Sequence, residues 1–222
     1  MKYKFNIEEV FKQAWTLTKK YFWLMLGVGA VTMVISYTIE GIKYLFLAGS
    51  KDMGFMYLPY AVFLVIGFAA SIILSFNTYR IIFDMVDGKS PKIMDLFKWD
   101  NTISRRIGKW LVANFVLGLI IFIGFILLIV PGIYLAVKYA YVNMLLIEKD
   151  MSIKEALKRS ADMTHGEKWH LVGMFLVCAL VVMIGLILLV IGLVPAVMIV
   201  AFASVLVYRK LESHTHHTVV AA

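Results

Sequence analysis

Cysteine is almost absent from this 222-residue chain: Cys178 stands alone. A lone thiol excludes an intrachain disulfide, and its place in an apolar run says nothing about redox compartment. Charge is scarce too. Only 16% of residues are Asp, Glu, Lys or Arg while 62% are hydrophobic, against roughly 25% and 45–50% in ordinary soluble domains; this excludes a soluble globular domain. The short signatures that carry chemistry are also missing, with no H-E-x-x-H, no G-x-S-x-G, no P-loop and no cysteine pair. Most acidic residues, among them Glu8, Glu9, Asp84, Asp87, Asp150, Glu155 and Glu212, are interleaved with Lys or Arg. Nothing marks two of them as an acid–base pair with divided pKa values. No catalytic residue, metal site or cofactor is therefore expected. His214, His216 and His217 sit in a polar tail, 213–222, expected to be disordered.

Long apolar runs are what the chain has in abundance. A bilayer core about 30 Å thick needs roughly 20 apolar residues at 1.5 Å each. One run begins at Tyr21 and another extends from Met56 to about Phe83. From Trp110 to Ile147 the only charge is Lys138, with Pro131-Gly132 in the middle, and from Trp169 to Tyr208 there is no Lys, Arg, Asp or Glu. Each of these last two is about twice the span length, so each is expected to cross twice. The fold class expected is all-α, with six transmembrane helices.

Charge placement tests that number. Of the 22 basic residues, 19 lie before Tyr21, between Arg80 and Lys109, between Lys149 and Lys168, or at Arg209-Lys210. Lys43 and Lys51 fall on the opposite side. The positive-inside rule then puts both termini in the cytoplasm. The net charge of +8 is explained by this topology and calls for no nucleic acid. A signal peptide is not expected, because "MKYKFNIEEVFKQ" puts carboxylates where an apolar segment would begin.

An internal repeat organises the runs. "IEEVFKQAWTLTKKYFWLMLG" from Ile7 and "IKEALKRSADMTHGEKWHLVG" from Ile153 share Ile7/Ile153, Glu9/Glu155, Lys12/Lys158, Thr18/Thr164, Trp23/Trp169 and Gly27/Gly173. A fainter copy, from Ser90 to Leu111, contributes Ile93, Asp95, Phe97, Lys98 and Trp110. In the first and last copies apolar residues recur at helical spacing. Three units are expected, 1–88, 89–150 and 151–222, each an amphipathic interfacial helix followed by a helical hairpin through the membrane. Trp23, Trp110 and Trp169 are the expected interfacial anchors. The amphipathic helices would lie in the headgroup region, with basic side chains near anionic lipid. Pro59, Pro131 and Pro195 recur near the start of the second helix of each hairpin, where a missing N–H is tolerated. Gly118, Gly124, Gly173, Gly185 and Gly192 mark places where spans can approach closely.

The stretch "LLIVPGIYLAVKYAYVNMLLIEKDMSIKEALKRSADMTHGEKWHLVG" resembles a broad prokaryotic membrane family. That family includes the membrane domain attached to some glycerophosphoryl diester phosphodiesterases and YciC-type membrane proteins. The residues carrying the likeness are Pro131 to Tyr134, Lys138, Glu155 to Ser160, Thr164, Gly166 and Trp169. The resemblance implies a six-helix membrane module in a plasma membrane and little about activity, since the phosphodiesterase members keep their chemistry in a separate soluble domain.

Lys138 is the sharpest candidate for a binding residue. An ammonium within a span is costly, and such a residue either faces the bundle interior or snorkels to the headgroups. If it faces inward, Asn77, Asn114, Asn143, Tyr139 or an incoming phosphate are its candidate partners. Tyr134 and Tyr141, four before and three after, are expected on its face. Arg80 and Asp84 are spaced for an i,i+4 ion pair. Two readings of function follow: a non-enzymatic module engaging membrane lipids or a cytoplasmic protein partner, or a small transporter or lipid-translocating protein with a cavity around Lys138.

Overall fold

The computed structural model describes residues 5–49, 57–99 and 101–220. Lys51, Asp100 and the last two residues of the tail lie outside them. Among the described residues the secondary structure is helical, without strands: α1 (Ile7–Gly49), α2 (Tyr57–Val86), a 3₁₀ helix (Ile93–Phe97), α3 (Asn101–Leu127), α4 (Ile129–Lys138), α5 (Val142–Glu148), α6 (Ile153–Met163), α7 (Lys168–Ile187) and α8 (Leu189–Val220). Six helical segments are long and apolar enough to cross a membrane: Ile7–Leu45, Leu58–Val86, Asn101–Leu127, Val130–Glu148, Lys168–Ile187 and Gly192–Thr215. The expectation of six spans in an all-α chain agrees with this.

The three stretches aligned in the sequence form three different elements. In the first, α1 runs unbroken from the amphipathic stretch into the apolar one, 43 residues in all. In the last, α6 is a separate helix. Its start is fixed by a capping box, with Glu155 N–H donating to Ser152 Oγ at 3.3 Å and Ser152 N–H donating to Glu155 Oε2 at 2.8 Å. Its end is fixed by a turn in which Gly166 takes φ +83°, a conformation that glycine adopts without steric cost. The aligned position in α1 is Lys20, which continues the helix. In the middle copy Pro91 precedes a single 3₁₀ stretch, and Lys92 N–H donates to Asp95 Oδ2 at 2.8 Å.

The fourth span is divided. Tyr139 to Tyr141 form a turn between α4 and α5, and the Lys138 carbonyl accepts hydrogen bonds from Ser160 Oγ at 3.0 Å and Thr164 Oγ1 at 3.3 Å, both from the α6 side. Side-chain donors drawn into a helix ladder in this way are a recognised cause of a break without proline. α8 continues to Val220 and takes in most of the polar tail, where Ser213 Oγ donates to the Lys210 carbonyl and Thr215 Oγ1 to that of Leu211.

Buried residues gather around the first turns of α1, the later turns of α2 and α8, and α5. Val10, Ala14, Phe76, Met85, Val142, Leu145, Phe202, Tyr208 and Leu211 are all inaccessible. Toward the α3–α4 and α7–α8 junctions, by contrast, Phe122, Ile126, Leu127, Ile184 and Ile187 are exposed. Apolar surface left open on this scale needs an apolar solvent or a partner.

Glycines set the closest approaches. A Cβ on Gly27 would lie 2.8 Å from Ile93 Cδ1, and one on Gly173 would lie 3.9 Å from Ile7 Cδ1. Gly27 and Gly173 are aligned positions, and so are Ile7 and Ile93. At the junctions, a Cβ on Gly124 would meet Gly132 Cα at 3.1 Å, and one on Gly185 would meet the Gly192 carbonyl at 2.9 Å. Substituting either would push adjoining helices apart.

Candidate functional site

Arg209, on α8, is the hub of a charged cluster. Its Nε and Nη2 grip Asp87, the residue just after α2, in a two-pronged bond, at 3.0 and 2.7 Å, the geometry that gives Arg–carboxylate pairs their specificity. Its Nη1 pairs with Glu148 at the end of α5 and lies 3.6 Å from Glu212 Oε2. The guanidinium carbon sits 5.2 Å from the centre of the Phe83 ring. Tyr208, the residue before it, is fully buried and donates its hydroxyl to Glu148 Oε2 at 2.5 Å. One cation thus joins the last turns of α2 and α5 to α8.

Neighbouring charges are drawn into the same end of the molecule. Glu212, 6% exposed, also pairs with Lys149 and lies 3.5 Å from Arg159. Arg106 of α3 donates to the carbonyls of Ile147 and Glu148, both at 3.2 Å, satisfying the open end of α5. Asp150 binds Arg105 and Lys109, the latter at 2.8 Å. The Lys109 ammonium, with Arg105 assisting, holds the Asp150 carboxyl below the usual carboxylate range. Asp84 holds the Lys89 ammonium above its usual value through a 2.6 Å bond. A cavity of about 180 Å³ lies within the cluster, lined in part by Arg80, Arg106, Glu148 and Arg209. Each of these acids already accepts from a cation, so the arrangement is suited to clamping helix ends.

The pair expected between Arg80 and Asp84 is replaced. Asp84 turns to Lys89 instead, and Arg80 Nη1 donates to Asn77 Oδ1 at 3.3 Å. Asn77 is fully buried and its amide donates to the carbonyls of Leu96 and Lys98 at 2.8 and 3.1 Å. It fastens the 3₁₀ helix to α2.

The other expected binding residues fall in separate places. Asn143 Nδ2 donates to Asn114 Oδ1 at 2.9 Å, and Asn114 Nδ2 donates to the Trp110 carbonyl at 2.8 Å. Lys138 is half-buried, its ammonium 5.1 Å from the centre of the adjacent Tyr139 ring. Tyr134 stays on the Lys138 face, four residues back within α4, whereas Tyr141 lies beyond the turn at 139–141, which breaks the helical register. Tyr134 is 47% exposed and accepts from Lys168 Nζ at 2.5 Å, whereas Tyr141 is 2% exposed and packs 6.2 Å from the Tyr208 ring. A cavity of about 630 Å³ reaches Tyr141, and one of about 490 Å³ reaches Tyr134; Lys138 lines neither.

The tryptophans also differ. Trp23 is 79% and Trp169 84% exposed. Trp110 is half-buried with its edge toward Phe76, ring centres 6.5 Å apart. Sequence reasoning missed the Arg209 cluster, whose only signal was a set of acids at the ends of apolar runs. No group of three or more His, Cys, Asp or Glu able to hold a metal ion occurs among the described residues.

Compared with protein-family models, with curated proteins and with solved structures, the chain matches none. What fold and composition define is a class: an all-helical, multi-pass membrane protein with six candidate spans.

Proposed function

We propose that the protein is a non-enzymatic module of a prokaryotic plasma membrane that engages anionic lipid headgroups through a basic face. In this reading the chain is three hairpin units with both termini cytoplasmic, and its likeness to the six-helix family of the phosphodiesterase membrane domains and YciC-type proteins is genuine kinship. The observation that carries it is the pairing of exposed lysines with exposed aromatics. Lys19 and Lys20 lie between Trp15 and Trp23 on α1, Lys92 and Lys98, the latter paired with Asp95, stand at either end of the 3₁₀ helix beside Phe97 and Trp99, and Lys154 and Lys158 lie along α6, ahead of Trp169. Amphipathic rings at headgroup level with cations beside them are the physical pattern of interfacial binding. The principal acids of the Arg209 cluster are meanwhile neutralised within it, which leaves this face positive.

Each lysine near an anionic surface contributes about 1 kcal/mol of attraction. Replacing Lys19, Lys20, Lys154 and Lys158 together by Gln is expected to abolish enrichment of anionic over zwitterionic lipid, read by native mass spectrometry of protein extracted with its own lipids. Unchanged enrichment would sink the reading and direct attention to a cytoplasmic protein partner. The transporter reading centred on Lys138 is set aside because neither large cavity is lined by that residue. Lys138→Met is accordingly expected to leave the bound lipid unaltered in the same measurement.

A further inference from the structure

Hydroxyl groups interrupt the apolar faces of three spans, and they converge. Thr32 and Ser36 on α1, Ser71, Ser75 and Thr78 on α2, and Ser204 on α8 line the cavity of about 630 Å³, a volume within the range of roughly 300–1,000 Å³ for small-molecule sites. No Lys, Arg, His, Asp or Glu is among its lining residues; the remainder is largely apolar, with Met25, Phe175 and Val200. Thr32, Ser71, Thr78 and Ser204 each donate to a carbonyl of their own helix at 2.8 Å. Their protons are engaged, so these oxygens remain as acceptors.

The matching donor is Tyr141. It lines the same cavity, is 2% exposed, and its hydroxyl is buried with no hydrogen-bond partner among the described residues. Leaving a buried phenol unmatched is costly, and a ligand oxygen removes that cost. A second cavity, of about 260 Å³, shares Ser36, Ser71 and Leu74 with the first and extends along α1 and α2 to Glu40 and Lys43. There the Lys43 side chain, 15% exposed, is already neutralised by Glu40.

We propose that the hydroxyl-lined cavity binds one uncharged, single-chain amphiphile whose head carries hydroxyl and carbonyl oxygens, of the monoacylglycerol type. Its carbonyl accepts from Tyr141, its hydroxyls donate to the serine and threonine oxygens, and its chain lies against Met25, Phe175 and Val200. A charged head is disfavoured, since desolvating an ion beside no counter-charge is costly. The site shares no residue with the basic face, so either reading can fail alone.

The test is titration of the purified protein, in a non-ionic detergent at neutral pH, with mono-oleoylglycerol, oleate and a lysophosphatidylcholine, read by native mass spectrometry. The expected result is one mono-oleoylglycerol per chain, bound at least tenfold more tightly than either charged probe. Tyr141→Phe should weaken it about three- to tenfold, and Ser75→Leu, which fills the cavity from α2, should reduce occupancy at least tenfold. Size-exclusion profile and tryptophan fluorescence check folding; where Ser75→Leu fails that check, Ser204→Ala replaces it, with an expected loss of about threefold. Equal uptake of all three probes, or binding indifferent to Tyr141→Phe and to whichever serine variant folds, overturns the proposal.

Discussion

Arg209 meets Asp87, Glu148 and Glu212, two of which are distant from it in the chain. Removing the guanidinium would leave three carboxylates with fewer counter-charges, the situation in which a broken buried pair costs most. Its side chain is 27% exposed, so solvent offsets part of that cost. Arg209→Met is expected to lower stability by about 2 kcal/mol, measured as a fall in thermal midpoint in detergent. Arg209→Lys, which keeps the charge and loses the fork, should fall between that and wild type. Asp150 gives a second prediction at this scale. Its carboxyl is held below the usual range, first by the Lys109 bond. The bond therefore stabilises the fold fully above the unfolded value of about 3.9 and is lost as pH falls through the lower folded value. Asp150→Asn should remove this part of the acid-side decline in thermal midpoint below about pH 4, with the difference from wild type greatest near neutrality.

At the scale of the element, Gly166 decides that α6 and α7 are two helices rather than one. Its φ of +83° lies where a side chain is strained, so Gly166→Ala is expected to cost about 1–2 kcal/mol, read in the same thermal assay. Lys20→Gly, at the aligned position of α1, tests the converse: a lowered helix content there, measured by hydrogen exchange of the flanking amides. The α6 boundaries were legible because their causes are local: Ser152 and Glu155 stand three apart, and a glycine follows the helix. The break at 139–141 was not legible. It contains neither proline nor glycine, and its cause lies on another element, in the hydroxyls of Ser160 and Thr164. That break is also why Tyr141 does not continue the face that Tyr134 and Lys138 share on α4. The Asn77 clamp on the 3₁₀ helix was hidden for a similar reason, since a backbone carbonyl leaves no mark in the sequence.

Across the whole molecule, the number of spans was legible because bilayer thickness imposes a length that apolar runs must meet. The side of each loop is a separate matter, and charge asymmetry makes a definite forecast. Reporter fusions at the N-terminus and at the C-terminus should both register the cytoplasm, since an even number of crossings puts them on one side and the positive-inside rule names that side; opposite signals would remove one of the six spans. The candidate site was less legible than the fold. Ser71, Ser75 and Ser204 were visible as polar residues within spans, but only folding brings them together with Tyr141 around one cavity.

The unbroken course of α1 has a mechanical consequence. At 1.5 Å per residue its 43 residues make a rod about 65 Å long, with Lys210 bound to Glu9 near one end at 2.9 Å and the Lys43–Glu40 pair near the other. Because no hinge interrupts it, a tilt imposed near Glu9 is transmitted to Lys43 as a lever transmits it. A pivot midway, turned by about ten degrees, would carry each tip of such a rod roughly 6 Å in opposite directions.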